Sequence, residues 1–278
     1  MNPDIQKAFH EAVRNNDVET ARRKQAAETG TTVIVNIPHA SLDIPGEVQF
    51  YPAQEELQDI AKRMSDLYTD EFLSPNPGIE IVRAPICRIV VDTERFEDDE
   101  KEPAAKFGQG VIYTKDYQGR DLRPIPTDQE RTHLLATYYR PHHARLYQLC
   151  LDSLRAYDKI IILDLHSYPS TYNMGSGQGE ETPDICIGYE APHYSEDTLK
   201  KLTQIVSSHG FTSGLNVPFS GSMVPTGISD FDCVQSYMVE IKRSIYMNEN
   251  TLERNTAGMD RVRALLLDII DALKKNAF

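Results

Sequence analysis

The chain has 278 residues, long enough for one large α/β domain or two small ones; 40% are hydrophobic and 26% charged, and no apolar run reaches the roughly 18 residues a membrane helix needs. A formal charge of −13, with no Lys/Arg cluster interleaved with aromatics, argues against nucleic acid as a partner. The polar N-terminus carries no secretory signal, so a cytoplasmic location with no membrane partner is expected, and Cys87, Cys150, Cys186 and Cys233, which lack CxxC spacing, read as mostly buried free thiols.

Residues 1–27 read as an amphipathic helix, with Ile5, Phe9, Ala12 and Val13 at helical spacing, so residues 1–30 form an accessory element ahead of a domain spanning 31–278. TTVIVNIPH is β-branched and apolar, as a buried parallel strand is, and leaves His39 at its carboxyl end. A helix over 53–73 follows, on which Asp66 and Asp70, spaced i,i+4, share a face. Beyond the loop SPNPG, IEIVRAPICRIVVDTER reads as two extended segments, with Arg88 and Arg95 flanking IVVD and Asp92 and Glu94 between them. The stretch 97–129, which contains DDEKE, FGQG and QGRD, is too polar for core and is expected as a long surface excursion or hairpin lid.

A helix is expected over 130–157, kinked or restarted at Pro141, followed by the strand KIIILDLHS, which again ends on a histidine. After the Gly/Ser-rich loop YPSTYNMGSGQGEETP come the strand DICIGYE, a helix over 195–209, the irregular NVPFSGSMVPTG, the strand VQSYMVEIKR and an amphipathic helix over 251–274. Strands alternating with helices, without linker or repeat, indicate a single α/β domain: a mixed, mainly parallel sheet with helices on both faces and its ligand site beyond the carboxyl ends of the strands.

Two buried-type strands that each present one histidine at that end point to a shared site at His39 and His166. Two histidines and a carboxylate are a common zinc set for hydrolysis, and Asp43 and Asp66 are the candidate acids. Asp164, two residues before His166 and so on the same side of its strand, takes an orienting role. An arginine in an apolar run is costly unless compensated, so Arg88 and Arg95 face either an internal ion-pair network or a substrate carboxylate. Glu240 interrupts an apolar strand and, if inward, is a natural general base. No GxSxG, P-loop or GxGxxG motif is present.

Taken together, NIPHAS, SDLYTDEF, CRIVVDTER, YYRPHHARL, LDLHS, NVPFSG and VEIKRSIYM resemble, in order over roughly residues 31–250, the N-formylglutamate amidohydrolases. The resemblance implies the fold of zinc carboxypeptidases and aspartoacylases, with zinc or another divalent transition metal held by His39, Asp66 and His166. It further implies Glu240 as the base, and Arg88 and Arg95 on substrate carboxylates or the amide carbonyl. His143 and Asn216 fall on motif positions at the wall of the site. Glu94 stands where the family usually has asparagine and Lys242 where arginine is common, and a negative charge beside Arg95 weakens its grip on an anionic substrate.

The expected function is therefore metal-dependent hydrolysis of an N-acyl amino acid such as N-formylglutamate. A carboxypeptidase or amidase acting on small peptides or cell-wall fragments, and a non-catalytic carboxylate-binding protein on the same fold, are the alternatives.

Overall fold

A computed structural model describes residues 30–73, 78–171 and 182–275. Its centre is a six-stranded sheet in the order β2-β1-β3-β6-β4-β5, built from β1 (Thr31–Ile37), β2 (Glu80–Arg83), β3 (Lys159–Tyr168), β4 (Ile185–Gly188), β5 (Ser213–Leu215) and β6 (Val234–Lys242). Strands β2, β1, β3 and β6 run parallel, while β4 is antiparallel to β6 and carries β5 parallel to itself. The expected mixed, mainly parallel α/β architecture is thus present.

Side-chain alternation sorts the strands onto two apolar layers. Val33, Val35 and Ile37 of β1, Ile161, Leu163 and Leu165 of β3, and Val239 and Ile241 of β6 pack with α4 (Glu196–Ser208) and α5 (Thr256–Lys275). The opposite parity, Ile34, Ile160, Ile162 and Val234, packs on α3 (Arg140–Ala156) through Leu146, Leu149 and Cys150. From β1 the chain goes outward to β2 and then crosses to β3 on the other side, so β1 and β3 flank a topological switch point, where such sheets open a crevice beyond their carboxyl ends.

Several expected elements change. The helix over 53–73 is α1 (Gln54–Met64) followed by a short turn at Thr69–Glu71. The helix over 130–157 is α2 (Asp128–Leu134), opened by a Thr127–Glu130 capping box, and α3, joined by a π-helical turn at Leu135–Tyr139. That wide turn ends just before Pro141, which has no N–H to continue an i→i−4 ladder. IVVD is not a strand: Val90 and Val91 donate to the Cys87 carbonyl at 2.9 and 3.4 Å, and this folds the run into a turn.

Nor is the 97–129 excursion merely superficial. Its Val111, Ile112, Tyr113 and Leu122 are buried with Ile86, Ile89, Val90 and Val91 and with Leu57 and Ile60 of α1, forming a second core beside the sheet. Those few apolar residues suffice because they are contributed to a core whose remaining members lie elsewhere in the chain. All four cysteines are free, and all but Cys233 are buried. No described helix is long and apolar enough to cross a membrane. The expected helix over 1–27, with the accessory element of residues 1–30 that it defines, and the larger part of the loop after Tyr168 lie outside the described residues.

One close contact ties the fold to the site. Gly258, in the first turn of α5, packs so tightly on the Ile245 carbonyl that a Cβ there would overlap it. We expect Gly258→Ala to destabilise the protein by at least about 2 kcal/mol, read from the denaturant midpoint, and to disturb the neighbouring Arg243 segment.

Candidate active site

At the carboxyl ends of the central strands, polar side chains replace apolar ones on the α3-facing parity: Asn36 on β1, Asp164 and His166 on β3, and Glu240 on β6. The register sets Asn36 beside Asp164 and His166 beside Glu240. His39 follows β1 directly after Pro38, and the Asp66 N–H donates to the His39 carbonyl at 2.9 Å, which brings the end of α1 against the end of β1. Two residues on, Tyr68 turns the chain away with φ +71°, a left-handed conformation costly for a non-glycine residue, and its hydroxyl is held by the Leu252 carbonyl at 2.7 Å.

His39, Asp66 and His166 converge. The two Nδ1 atoms are 3.2 Å apart, and Asp66 Oδ2 lies 3.4 Å from His39 Nδ1 and 3.2 Å from His166 Nδ1. A tetrahedral ion with bonds of about 2.0–2.1 Å separates its ligands by roughly 3.3–3.4 Å, so these donors are spaced as the ligands of a single such ion. They are 3%, 1% and 4% exposed, and this buried group could hold a metal. Asp43, the alternative acid, is exposed and lies outside the group.

The remaining atoms of the three groups are pinned. His39 Nε2 is 2.8 Å from Asp92 Oδ1. His166 Nε2 faces Asp164 Oδ2 at 3.2 Å and Glu94 Oε2 at 3.5 Å, close ionic contacts that lack hydrogen-bond alignment. Asn36 Nδ2 donates to both Asp164 Oδ1 and Glu94 Oε1 at 2.9 Å, linking the two carboxylates. Asp66 Oδ1 accepts from Arg243 Nη2 at 3.1 Å, and Arg243 also donates to Ser167 Oγ and the Arg63 carbonyl. Asp92 Oδ2 accepts from Arg88 Nε and Nη2 at 3.1 and 2.8 Å and from the Tyr113 hydroxyl at 2.7 Å. Carboxylates behind ligating imidazoles fix their tautomer and orientation.

These contacts decide the electrostatics. Burial pushes Asp66 and Asp92 up, but the contacts of Asp66 with His166 and His39, and of Asp92 with Arg88 and His39, hold both well below the usual carboxylate range. Burial pushes His166 down, yet Asp164 and Asp66 raise it well above a free imidazole. Glu240, 8% exposed, is dominated by burial, which pushes its carboxyl up to about 7.

The other expected residues are placed as follows. Arg88 is 16% exposed at the side chain and bound to Asp92; the i,i+4 pair meets only because the segment is a turn, since a strand would part the two by about 13 Å. Arg95, 30% exposed, has Nε 3.7 Å from Asp92 Oδ2 and Nη1 3.5 Å from Glu102 Oε1. His143 Nε2 donates to the Thr93 carbonyl at 2.8 Å and so steadies the 92–95 loop from behind. Asn216 spends its amide on the Tyr189 backbone and the Gly221 N–H beside β4, the strand that pairs with β6 at Glu240. Asp164, expected to orient, faces His166 Nε2 at 3.2 Å and accepts from Asn36. Sequence reasoning missed Arg243, Asn36, Tyr113 and the contact of Asp92 with His39. Asn36 had a signal in the sequence, a lone amide in the apolar strand VIVNI.

The family model for N-formylglutamate amidohydrolase matches residues 31–247. None of the curated proteins compared matches. Among solved structures, N-formylglutamate amidohydrolase from Ralstonia eutropha JMP134 aligns with a TM-score of 0.75 at 21% identity, covering 88% of this chain and 94% of that chain. A gene product from Agrobacterium tumefaciens aligns with a TM-score of 0.61 at 18% identity, covering 89% and 91%. At such identities the structural likeness establishes the fold.

Two outcomes are expected of these contacts. Asp92→Asn removes the charge behind His39 and should weaken divalent-metal binding by about 10–100-fold, measured by competition with a chromophoric chelator. For Glu240 the folded carboxyl titrates near 7 against an ordinary value of 4.5, so the folded state holds a proton that the unfolded state releases between those values. Metal-free protein therefore loses stability as pH rises from 4.5 through about 7. Glu240→Gln removes that loss, and its melting temperature relative to the parent should be higher at pH about 8 than at about 5.

Proposed function

We propose that this chain, which belongs to the N-formylglutamate amidohydrolase family, hydrolyses the amide C–N bond of an N-acyl, foremost N-formyl, amino acid, with a divalent metal, zinc before others, held by His39, Asp66 and His166. The observation that carries this reading is the buried triangle of donor atoms, each backed by a fixed partner. A divalent cation there supplies Lewis acidity, which lowers the pKa of water and polarises a carbonyl.

The chain's own groups handle orientation and protons. Glu240, opposite His166 in the sheet register, is the proposed general base. Its Oε2 is buried and has no hydrogen-bond partner among the described residues. It takes a proton from water and returns it to the leaving nitrogen. Water oxygen joins the acyl carbon, the C–N bond breaks, and the products are a carboxylate and an amine that leaves protonated. Arg95, the more exposed of the two predicted arginines, is the group proposed to polarise the acyl carbonyl. Arg88 acts through Asp92, keeping that carboxylate ionised behind His39. His143 and Asn216 shape the wall, the first through Thr93 and the second through the loop after β5.

The deciding experiment offers N-formyl and N-acetyl amino acids and small peptide amides to metal-reconstituted protein and reads free amine. Hydrolysis of N-formyl substrates, lost on chelation and restored by zinc, is expected. Glu240→Gln should keep its metal yet lose about 10²–10⁴ in kcat. Amine release from none of the amides would reject the reading, and normal turnover in Glu240→Gln would remove that residue from the mechanism.

A further inference from the structure

A cation bordering a site attracts an anionic substrate less when a carboxylate of the protein already lies against it. Each guanidinium beside the His39–Asp66–His166 group has a carboxylate of this chain against it. Arg88 holds Asp92, Arg243 holds Asp66, and Arg95 lies between Asp92 and Glu102. Lys242, one alternation beyond Glu240 on β6, is 3.6 Å from Asp184 and donates to the Thr182 carbonyl.

The Arg95–Glu102 pair is the informative one, because Arg95 is the partly exposed arginine at the rim. Glu102 is 4% exposed at the side chain, and both of its oxygens are fixed: Oε2 accepts from the Phe96 N–H at 3.1 Å and Oε1 from the Ala104 N–H at 2.9 Å. The acidic segment that carries it is docked by Arg140 on Glu97 at 2.6 Å and by Arg131 on Asp99 at 2.8 Å. A carboxylate clamped in this way does not swing aside as a rim side chain would. Glu94, next to Arg95, turns a further carboxylate inward to Asn36 and His166.

We propose that Glu102, held against Arg95 from within the chain, keeps that arginine from receiving a substrate carboxylate, so that the substrate is an N-acyl amino acid whose side chain is neutral or cationic and bears no second carboxylate. This rests on the amide-hydrolase reading above and names the substrate class of the same site. The acidic segment then acts as a specificity element: it sets an anion of the chain against the partly exposed Arg95 and repels a substrate that brings its own.

N-formylglutamine and N-formylglutamate, near-isosteres with and without the second charge, test this directly on the metal-loaded protein. The expected result is a kcat/KM at least about tenfold higher for N-formylglutamine, carried by KM, with N-formyllysine also accepted. Glu102→Gln, which keeps an acceptor for one of the two backbone N–H groups but loses the charge, should move the ratio toward N-formylglutamate by a similar factor. Should that variant not fold, the parent's own ranking of N-formylglutamine over N-formylglutamate decides.

Calorimetric binding of both ligands to metal-loaded Glu240→Gln gives a ranking that needs no turnover. If no N-formyl amino acid is cleaved, the hydrolytic reading fails while this ranking still decides the present one. N-formylglutamate bound or cleaved as well as N-formylglutamine, or a Glu102→Gln ratio unmoved in a folded protein, would overturn it.

Discussion

Two imidazole nitrogens and a carboxylate oxygen lie within 3.4 Å of one another in a nearly dry interior. Such a group is costly to bury unless its charges are compensated, since a buried carboxylate or imidazolium without partners is expensive. Compensation comes from behind: Asp92 on His39, the ionic contacts of Asp164 and Glu94 with His166, and Arg243 on Asp66. These partners are charged in turn and need their own counterions, so the arrangement spreads outward to Arg88, Tyr113, Arg95 and Glu102. Much of the architecture around the sheet's carboxyl edge serves this chain of compensation.

The fold supplies it economically. Alternation along β1, β3 and β6 sends one parity into the α4/α5 layer and the other toward α3, and only the last members of the second parity become polar. The switch point between β1 and β3 leaves space beyond their ends, and the turn at 87–91 and the 97–129 excursion close around it with a core of their own. A polar excursion can be that well ordered because its acidic residues dock on arginines of α2 and α3 while its few apolar residues enter a shared core.

For catalysis this has two consequences. Asp66 is held ionised by His166 and His39, and Asp92 by Arg88 and His39, whereas Glu240, which burial dominates, rises toward neutrality; environments that push like groups apart in this way suit the structural-anion and proton-carrier roles proposed for them. The same pairing leaves little positive charge for a substrate beyond what a bound metal would supply, which is why the proposed substrate is poor in carboxylates.

The sequence by itself determined the strands β1, β3 and β6, the helices against them, and the location of His39, His166 and Glu240 at one edge. Those features follow from apolar runs and from the strand and helix periods of two and about 3.6, which depend on near neighbours alone. Tertiary structure alone decided that Asp66 joins the histidines while Asp43 does not, and that Arg88 meets Asp92 across a turn where an apolar run read as a strand. It also decided that Arg243 anchors Asp66 from 177 residues away and that Glu102 answers Arg95. Each of those outcomes depends on loop conformations fixed by long-range packing and by the need to compensate buried charge, and no local pattern encodes them.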